Sequence, residues 1–171
     1  MIKRIFNIYQ RLFWSSEKYA RHLGVKIGKN CKISTIHFGS EPYLIEIGNK
    51  VQITQNVRFY NHGAAWVLRE KDPSFDFFGK IAVGNNVYIG NSVIILPGVS
   101  IGNNVVIAAG SVVTKSFGDN FVIGGNPAKI LASVDDFFLK YSPYNVKSKN
   151  MNYDEKRQFL ESLDDDKFIK K

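Results

Sequence analysis

Residues 83–118, VGNNVYIGNSVIILPGVSIGNNVVIAAGSVVTKSFG, repeat one pattern every six residues. Branched aliphatic side chains head six successive hexads: Val83, Ile89, Ile95, Ile101, Ile107 and Val113. Valine fills the fifth position of the first four hexads, and Gly or Asn stands between these positions in most of them. A period of six matches neither the 3.6-residue helical repeat nor the 2-residue strand repeat. Six residues suffice for one short strand and one turn, so stacked hexads predict a solenoid filled by Ile and Val.

The same frame extends upstream of this stretch. Ile47, Ile53 and Phe59 head three earlier hexads, and Ile27 and Ile33 head an earlier pair, with segment 39–46 shifting the frame between them. The frame then returns at Val83, four whole hexads after Phe59. The intervening stretch, RFYNHGAAWVLREKDPSFDFFG at 58–79, is aromatic, charged and irregular. A loop inserted into a rigid scaffold in this way usually carries function.

These patterns predict three parts of the chain. Residues 1–24 form an N-terminal helical segment, 25–131 a solenoid with an excursion loop at about 62–80, and 132–171 a C-terminal extension with a short helix near YDEKRQFLESL. Apolar residues at 2–13 fall on one helical stripe, and basic residues fall mostly elsewhere. This stripe favours a helix that packs on the solenoid or on a neighbouring subunit. The alternative is weak peripheral contact with an anionic membrane.

The composition restricts the class of partner. The chain has 23 Lys and Arg against 15 Asp and Glu, a net charge of +8, which favours anionic partners. The basic residues are scattered and match no nucleic-acid module, so phosphorylated small molecules are favoured over nucleic acid. A single cysteine, Cys31, excludes an internal disulfide framework and fits the cytosol. No apolar stretch has the length of a membrane span, and the N-terminus lacks the features of a signal peptide, so we predict a cytoplasmic protein.

His62 opens the excursion loop and is the first candidate for catalysis. Only histidine has an unperturbed pKa near neutral pH, which suits a general base, although a structural role in a turn is the simpler alternative. The hexads, His62 and the segment IAVGNNVYIGNSVIILPGVSIGNNVVIAAGSVVTK together resemble the left-handed β-helix acyltransferases of the hexapeptide-repeat superfamily. The resemblance implies an all-β left-handed parallel β-helix and a homotrimer with active sites at the subunit clefts. It also implies that His62 takes the proton of an acceptor that attacks acetyl-CoA.

One position departs from the resemblance. Relatives with a segment similar to GSEPYLIEIGN often carry Asp directly after the histidine that corresponds to His62, whereas this chain has Gly63. A carboxylate normally fixes the tautomer of such a histidine. Loop candidates for that carboxylate are Asp76, Glu70 and Asp72, and Asp76 lies nearest to the place where galactoside-type relatives carry an assisting acid. A backbone carbonyl is the alternative.

The segments IAAGSVVTK and GGNPAKIL resemble the coenzyme A segment of the superfamily. The resemblance implies a coenzyme site composed of Tyr88, Ser92, Ala108, Ala109, Gly110, Lys115 and Lys129. The three small residues would lie against pantetheine, the two lysines would meet phosphates, and a backbone N–H at Ser92, Gly90 or Asn91 would face the oxyanion. A tight solenoid corner and solvated lysines are the alternatives. We expect no metal, because the three histidines stand 15 and 25 residues apart, unlike the ligands of the carbonic anhydrases that share this fold.

The GSEPYLIEIGN resemblance also implies an acceptor class. It predicts transfer of acetyl to a sugar hydroxyl in capsule, exopolysaccharide or lipopolysaccharide biosynthesis. We place five residues at the acceptor, with ordinary loop packing as the alternative: Glu41, Tyr43, Asn61, Trp66 and Arg69. The other interpretations are N-acetylation of a nucleotide-linked amino sugar and a solenoid scaffold without catalysis.

Overall fold

The computed structural model describes residues 13–170, and in these residues the strands are short, each of two to five residues. The strands are β1 Lys26–Ile27, β2 Lys32–Ile33, β3 Ile45–Ile47, β4 Gln52–Ile53, β5 Arg58–Phe59, β6 Ile81–Val83, β7 Val87–Ile89, β8 Ile94–Ile95, β9 Ser100–Ile101, β10 Val105–Ile107, β11 Val112–Val113, β12 Phe121–Gly124 and β13 Lys129–Ser133. The helices are α1 Ser16–His22, α2 Ala65–Leu68, α3 Val134–Tyr141 and α4 Tyr153–Glu161. The predicted helical stripe at 2–13 lies outside the described residues, apart from Phe13.

The strands form three sheets that share one stacking pattern. Their orders are β1-β3-β6-β9, β2-β4-β7-β10-β12-β13 and β5-β8-β11. Every pairing is parallel except the last, β12 with β13. Consecutive strands from β1 to β12 therefore fall in different sheets, and from β3 to β11 each turn of the chain places one strand in each sheet. This is a parallel β-helix, and the predicted hexad solenoid is confirmed.

The first and fifth positions of the hexads form the interior. Along the second sheet, Ile53, Ile89, Ile107 and Ile123 stack in register and are fully buried. Val87, Val93, Val99 and Val105 are buried from the fifth positions. Removing such aliphatic area from water supplies about 25 cal/mol per Å², which stabilises each rung through contact with its neighbours.

Asparagine side chains stack along one corner of the solenoid. The Asn49 N–H donates to Asn85 Oδ1 at 2.8 Å, and the Asn85 N–H donates to Asn103 Oδ1 at 2.8 Å. The Asn103 N–H donates in turn to Asp119 Oδ1 at 2.7 Å. The residue after each of these has positive φ: Lys50, Asn86, Asn104 and Asn120. Backbone N–H groups that the turns leave outside the sheets are thus satisfied from rung to rung.

The excursion loop leaves the solenoid after β5 and rejoins it at β6. Register steps by 36 residues across the loop, with Glu46 opposite Ala82, and by 18 residues afterwards, with Ala82 opposite Ser100. The loop returns beside Pro97 and Gly98, where a Cβ on Gly79 would overlap the Gly98 nitrogen and lie 2.6 Å from the Pro97 carbonyl carbon. Only glycine fits this crossing, so Gly79 seats the returning chain on the next rung.

The chain divides into two compact units, one ending at Val134 and one beginning at Asp135. In the second, the Asn152 side chain accepts from the Glu155 N–H and the Glu155 carboxylate accepts from the Asn152 N–H, both at 3.0 Å. This reciprocal cap satisfies two N–H groups at the start of α4. Within residues 13–170, the helices are all too short or too polar to cross a bilayer.

Candidate active site

His62 lies at the base of the excursion loop, just beyond β5. It forms an isolated antiparallel bridge with Phe78, so the outgoing and returning ends of the loop pair with each other. The Phe78 ring stands roughly edge-on to the imidazole, with 5.4 Å between ring centroids. The His62 side chain is 38% exposed. The imidazole is therefore held on one side and open to a substrate on another.

A carboxylate contacts this imidazole directly. Glu41 Oε2 lies 2.6 Å from His62 Nδ1, and the Glu41 side chain is only 16% exposed. An ionised carboxylate only accepts hydrogen bonds, so in the neutral imidazole Nδ1 carries the proton and Nε2 keeps its lone pair. The pair therefore has the arrangement of an oriented general base.

The stacking of rungs explains why Glu41 reaches His62. The chain at His37 bridges in parallel to Arg58, a separation of 21 residues, and Glu41 precedes His62 by the same separation. Glu41 thus lies on the adjacent turn of the chain, at the equivalent place. The shared separation of 21 residues could have predicted the Glu41–His62 pair from the sequence. The frame shift in 39–46 interrupts the hexads there, so the separation cannot be read from the repeat.

Gly39 brings the segment that carries Glu41 close to the loop base. Its φ is +71°, and a Cβ there would lie 2.7 Å from Asn61 Oδ1 and 3.0 Å from the Phe59 carbonyl oxygen. After Glu41, the 3-10 turn Pro42–Leu44 begins, and the Leu44 N–H donates to the Glu41 carbonyl at 2.9 Å. The backbone on both sides of Glu41 is therefore fixed.

The structure differs from the sequence expectation for Asp76. Asp76 Oδ2 lies 3.6 Å from the Arg69 guanidinium, and Oδ1 accepts from the Phe77 N–H at 3.1 Å. Arg69 also donates to the Phe75 carbonyl at 3.1 Å. Asp76 and Arg69 therefore hold the loop together, while Glu41, expected at the acceptor, occupies the place expected for Asp76. An ion pair inside a loop cannot be distinguished by sequence from an acid aimed at the histidine.

The other two loop acids also have different surroundings. Asp72 accepts from both the hydroxyl and the backbone N–H of Ser74, and these bonds hold the pKa of its carboxyl below the usual range. Glu70 lines a cleft of about 390 Å³ with Trp66, Val67 and Arg69. Trp66 is 82% exposed. This cleft places two of the predicted acceptor residues, Trp66 and Arg69, on one surface of the loop.

Asn61 directly precedes His62 in the sequence and is 1% exposed. Its backbone carbonyl accepts from the Gly79 N–H at 2.7 Å, which closes the base of the loop. Its side-chain amide has no hydrogen-bond partner among the described residues. Tyr43, another predicted acceptor residue, instead lines a cleft of about 160 Å³ with Lys26 and Lys80 on the outer face of the first sheet.

Comparison with known proteins identifies the family. The family model described as bacterial transferase hexapeptide (six repeats) matches residues 80–115. Protein CapG of Staphylococcus aureus is 50% identical over 149 residues, which cover 85% of this chain and 87% of CapG. The chain belongs to the hexapeptide-repeat acetyltransferases. The predicted superfamily and enzyme class are therefore confirmed.

Two further relatives of this acetyltransferase are informative. The galactoside O-acetyltransferase of Escherichia coli K12 is 36% identical over 131 residues, covering 74% of this chain but only 62% of the longer relative. The crystal structure of a hexapeptide-repeat acetyltransferase from Vibrio cholerae superposes with a TM-score of 0.59 at 25% identity, covering 71% of this chain and 82% of the other. A structure of that protein with acetyl-CoA superposes with a TM-score of 0.58 at 30% identity, covering 64% and 60%.

Most of the residues predicted at the coenzyme lie on the second sheet or on the corner that follows it, whereas Lys115 follows β11 of the third sheet. Tyr88 projects outward from β7, is 40% exposed, and borders a cleft of about 220 Å³ with Gln52, Asn104 and Val106. Lys115 and Lys129 are exposed, and the Lys115 ammonium lies 5.6 Å from the Phe117 ring centroid. Within residues 13–170, no group of three or more His, Cys, Asp and Glu side chains is arranged to hold a metal ion.

The backbone N–H groups of the three small residues predicted at the coenzyme, Ala108, Ala109 and Gly110, differ in whether they already form a hydrogen bond within the protein. The Ala108 N–H donates to the Ile123 carbonyl at 2.9 Å, and its carbonyl accepts from the Ser111 hydroxyl at 2.6 Å. The Gly110 N–H donates to the Asn91 carbonyl at 2.8 Å. Among the described residues, Ala109 makes no backbone hydrogen bond of this kind. Ala109 is thus the best placed of the three to bond an incoming amide.

The three backbone N–H groups predicted to face the oxyanion, those of Gly90, Asn91 and Ser92, also differ in whether they are already hydrogen-bonded. The Gly90 N–H donates to the Ile107 carbonyl at 2.9 Å, and the Ser92 N–H donates to the Gln55 carbonyl at 3.0 Å. The Asn91 N–H makes no backbone hydrogen bond within the described part of the chain. Asn91 is also exposed, so its N–H is the one of the three that remains available to a ligand.

Proposed function

We propose that the chain transfers an acetyl group from acetyl-CoA to a hydroxyl of a sugar used in cell-surface polysaccharide biosynthesis, with His62 as general base. The observation that carries this proposal is the 2.6 Å contact between His62 Nδ1 and Glu41 Oε2 at the mouth of a loop in a hexapeptide-repeat acetyltransferase. The relative named galactoside O-acetyltransferase supports the sugar acceptor and the transfer to oxygen.

His62 performs the proton transfers in this proposal. Nε2 accepts the proton of the acceptor hydroxyl while that oxygen attacks the thioester carbonyl carbon of acetyl-CoA. Glu41 stabilises the imidazolium that results. Collapse of the tetrahedral intermediate breaks the carbon–sulfur bond, and His62 returns the proton to the departing thiolate. The products are the acetylated sugar and free coenzyme A.

The Ala109 backbone would bond the pantetheine arm, and the Asn91 N–H would stabilise the oxyanion. Lys115 and Lys129 would meet the coenzyme phosphates, with Tyr88 and Ser92 beside them. The Vibrio cholerae relative whose structure contains acetyl-CoA supports acetyl-CoA as the co-substrate. From the family resemblance we propose a left-handed helix that assembles as a cytoplasmic homotrimer. Asn91 and His62 follow different sheets, so each active site would be shared across a subunit cleft.

The aromatic surface of the loop supports a sugar acceptor. Trp66 and Phe78 are 82% and 52% exposed, and Phe78 contacts His62. The C–H faces of a sugar ring pack well on such rings, while its hydroxyls remain available to polar groups. This surface would hold the ring with one hydroxyl at Nε2.

The test is release of coenzyme A from acetyl-CoA in the presence of a panel of hydroxyl and amino sugars. We expect release with hydroxyl sugars and a loss of more than about 100-fold in turnover for His62→Ala, because the base is removed. The affinity for coenzyme A should stay nearly unchanged in the variant. Full turnover by His62→Ala would discard His62 as the base, and exclusive use of amino sugars would replace the hydroxyl by an amine acceptor.

A further inference from the structure

A cleft of about 410 Å³ opens on the outer face of the third sheet, and its lining includes Gly39 and Tyr60, which stand two residues before Glu41 and His62. Its lining includes four polar side chains, Tyr19, His37, Arg58 and Tyr60, together with Phe38 and Gly39. Among the described residues, this lining contains no carboxylate. The cleft is therefore cationic and rich in hydrogen-bond donors, unlike the aromatic loop surface.

Arg58 is the charged group of this cleft. It is exposed at the outer face of β5, and its side chain has no ion pair or hydrogen bond with the other described residues. The other arginines of the described chain are all paired with carboxylates: Arg21, Arg69 and Arg157. A guanidinium presents a planar fork of donors that matches a carboxylate or a phosphate in two parallel bonds. The tyrosine hydroxyls beside it would add further hydrogen bonds.

The chain connects this cleft to the reacting groups. Arg58 and Tyr60 project on the same outer side of the strand, because side chains alternate, and His62 follows two residues later. The Cα atoms of Arg58 and His62 are at most about 14 Å apart, since four residues span no more than that when extended. Gly39, which lines the cleft, stands two residues before Glu41. A saccharide that places a hydroxyl at His62 can therefore extend into the cleft.

We propose that this cleft is an acceptor subsite in which Arg58 binds an oxyanion of the sugar substrate. The acceptor is thus an anionic saccharide, carrying either the carboxylate of a uronic acid or the diphosphate of an activated sugar. This inference rests on the proposed function for the transfer step, while binding of the anion can be measured without it.

The kinetic test compares three acceptors: a neutral methyl hexoside, a hexuronate and a nucleoside-diphosphate hexose. Arg58→Gln should lower kcat/KM for one anionic acceptor by about 10- to 100-fold, the effect of one hydrogen bond to a charged group, and leave the neutral acceptor unchanged. Arg157→Gln in α4 is the matched control and should change neither. The anionic acceptor whose kcat/KM falls identifies the carboxylate or the diphosphate as the ligand. An equal loss with all three acceptors, or no loss with any, would overturn the subsite.

A binding measurement separates this proposal from the transfer reaction. Galacturonate and uridine diphosphate are titrated by calorimetry in saturating coenzyme A, which keeps the coenzyme site occupied. If one of them binds and Arg58→Gln weakens it about tenfold, the subsite stands even when no acetyl transfer is found. If neither binds to the wild-type protein, the subsite is wrong even when neutral sugars are acetylated. Arg58→Lys, which keeps the charge but not the fork, should give an intermediate loss and serves if the Gln variant does not fold.

Discussion

The contact between Glu41 and His62 favours one tautomer of the neutral imidazole before any substrate arrives. Because the carboxylate accepts the Nδ1 proton, the tautomer with a basic Nε2 is favoured and the ring orientation is fixed. The Glu41 side chain is mostly buried, so its charge is only partly screened by water. The pair joins side chains from two turns of the solenoid into one reacting group.

Glu41→Gln tests this pairing. The amide can still hydrogen-bond to Nδ1, but it no longer carries the charge that stabilises the imidazolium or fixes the tautomer. We expect kcat to fall by at least about tenfold with the KM for acetyl-CoA unchanged, measured by steady-state coenzyme release.

Glu46→Gln is the matched control for that variant. Glu46 lies five residues later, on the outer face of β3, and its carboxylate is 3.8 Å from the exposed Lys26 ammonium. It should retain wild-type kcat, because an exposed ion pair of this kind contributes little. If the two variants behave alike, Glu41 does not position His62.

Among strands and loops, the crossing at Gly39 determines whether Glu41 reaches the loop base. Gly39→Ala forces a Cβ against the Asn61 amide and the Phe59 carbonyl, in addition to a left-handed backbone that costs about 1–2 kcal/mol for a residue with a side chain. We expect a lower free energy of unfolding and a reduced kcat, measured by denaturant unfolding and coenzyme release.

Gly98→Ala distinguishes the cost of a left-handed backbone from the steric contact made by a new Cβ. Gly98 has a φ of +81°, but a Cβ there would meet nothing within 4 Å. It should lose stability by a similar backbone cost and keep its kcat. Loss of activity in Gly98→Ala alone, or full activity in Gly39→Ala, would contradict the role given to the Gly39 crossing.

The hexads predicted the strands because a period of six constrains inward-facing side chains on every rung. Val83 through Val113 needed no knowledge of distant contacts, since each rung repeats its neighbour. The partner of His62 was harder to predict. Asp76 is near in sequence but is engaged by Arg69, whereas Glu41 is 21 residues away and meets His62 only after stacking. The frame shift at 39–46, which provides Glu41, is the irregularity that a repeat analysis cannot position.

For the chain as a whole, affinity for acetyl-CoA should appear as added stability. A ligand that binds only the folded state raises the unfolding midpoint once its concentration exceeds its Kd. We expect a rise with millimolar acetyl-CoA in thermal unfolding. The double variant Lys115→Ala with Lys129→Ala should weaken binding about tenfold, because two exposed cation–phosphate contacts are lost.

Lys26→Ala with Lys32→Ala is the control, since both lysines are exposed on β1 and β2 at the other end of the sheets. Its midpoint should rise with acetyl-CoA as in the wild-type protein. No rise in the wild-type protein would argue against coenzyme binding. Equal shifts in both double variants would remove Lys115 and Lys129 from the site.

The excursion loop leaves and rejoins the solenoid in the same hexad frame, so the residues at its two ends are fixed by the solenoid while those inside it are not. His62, Phe78 and Gly79 stand at the loop's two ends, and Glu41 belongs to the solenoid, so the chemistry stays with the scaffold. Gly79 fixes where the chain re-enters the solenoid. The residues between the loop ends, including Trp66 and Arg69, can therefore follow a different path without moving the next rung. If the proposed function holds, the residues of the loop, and with them the preferred sugar, can change in evolution or by design while the His62–Glu41 pair and its reaction are retained.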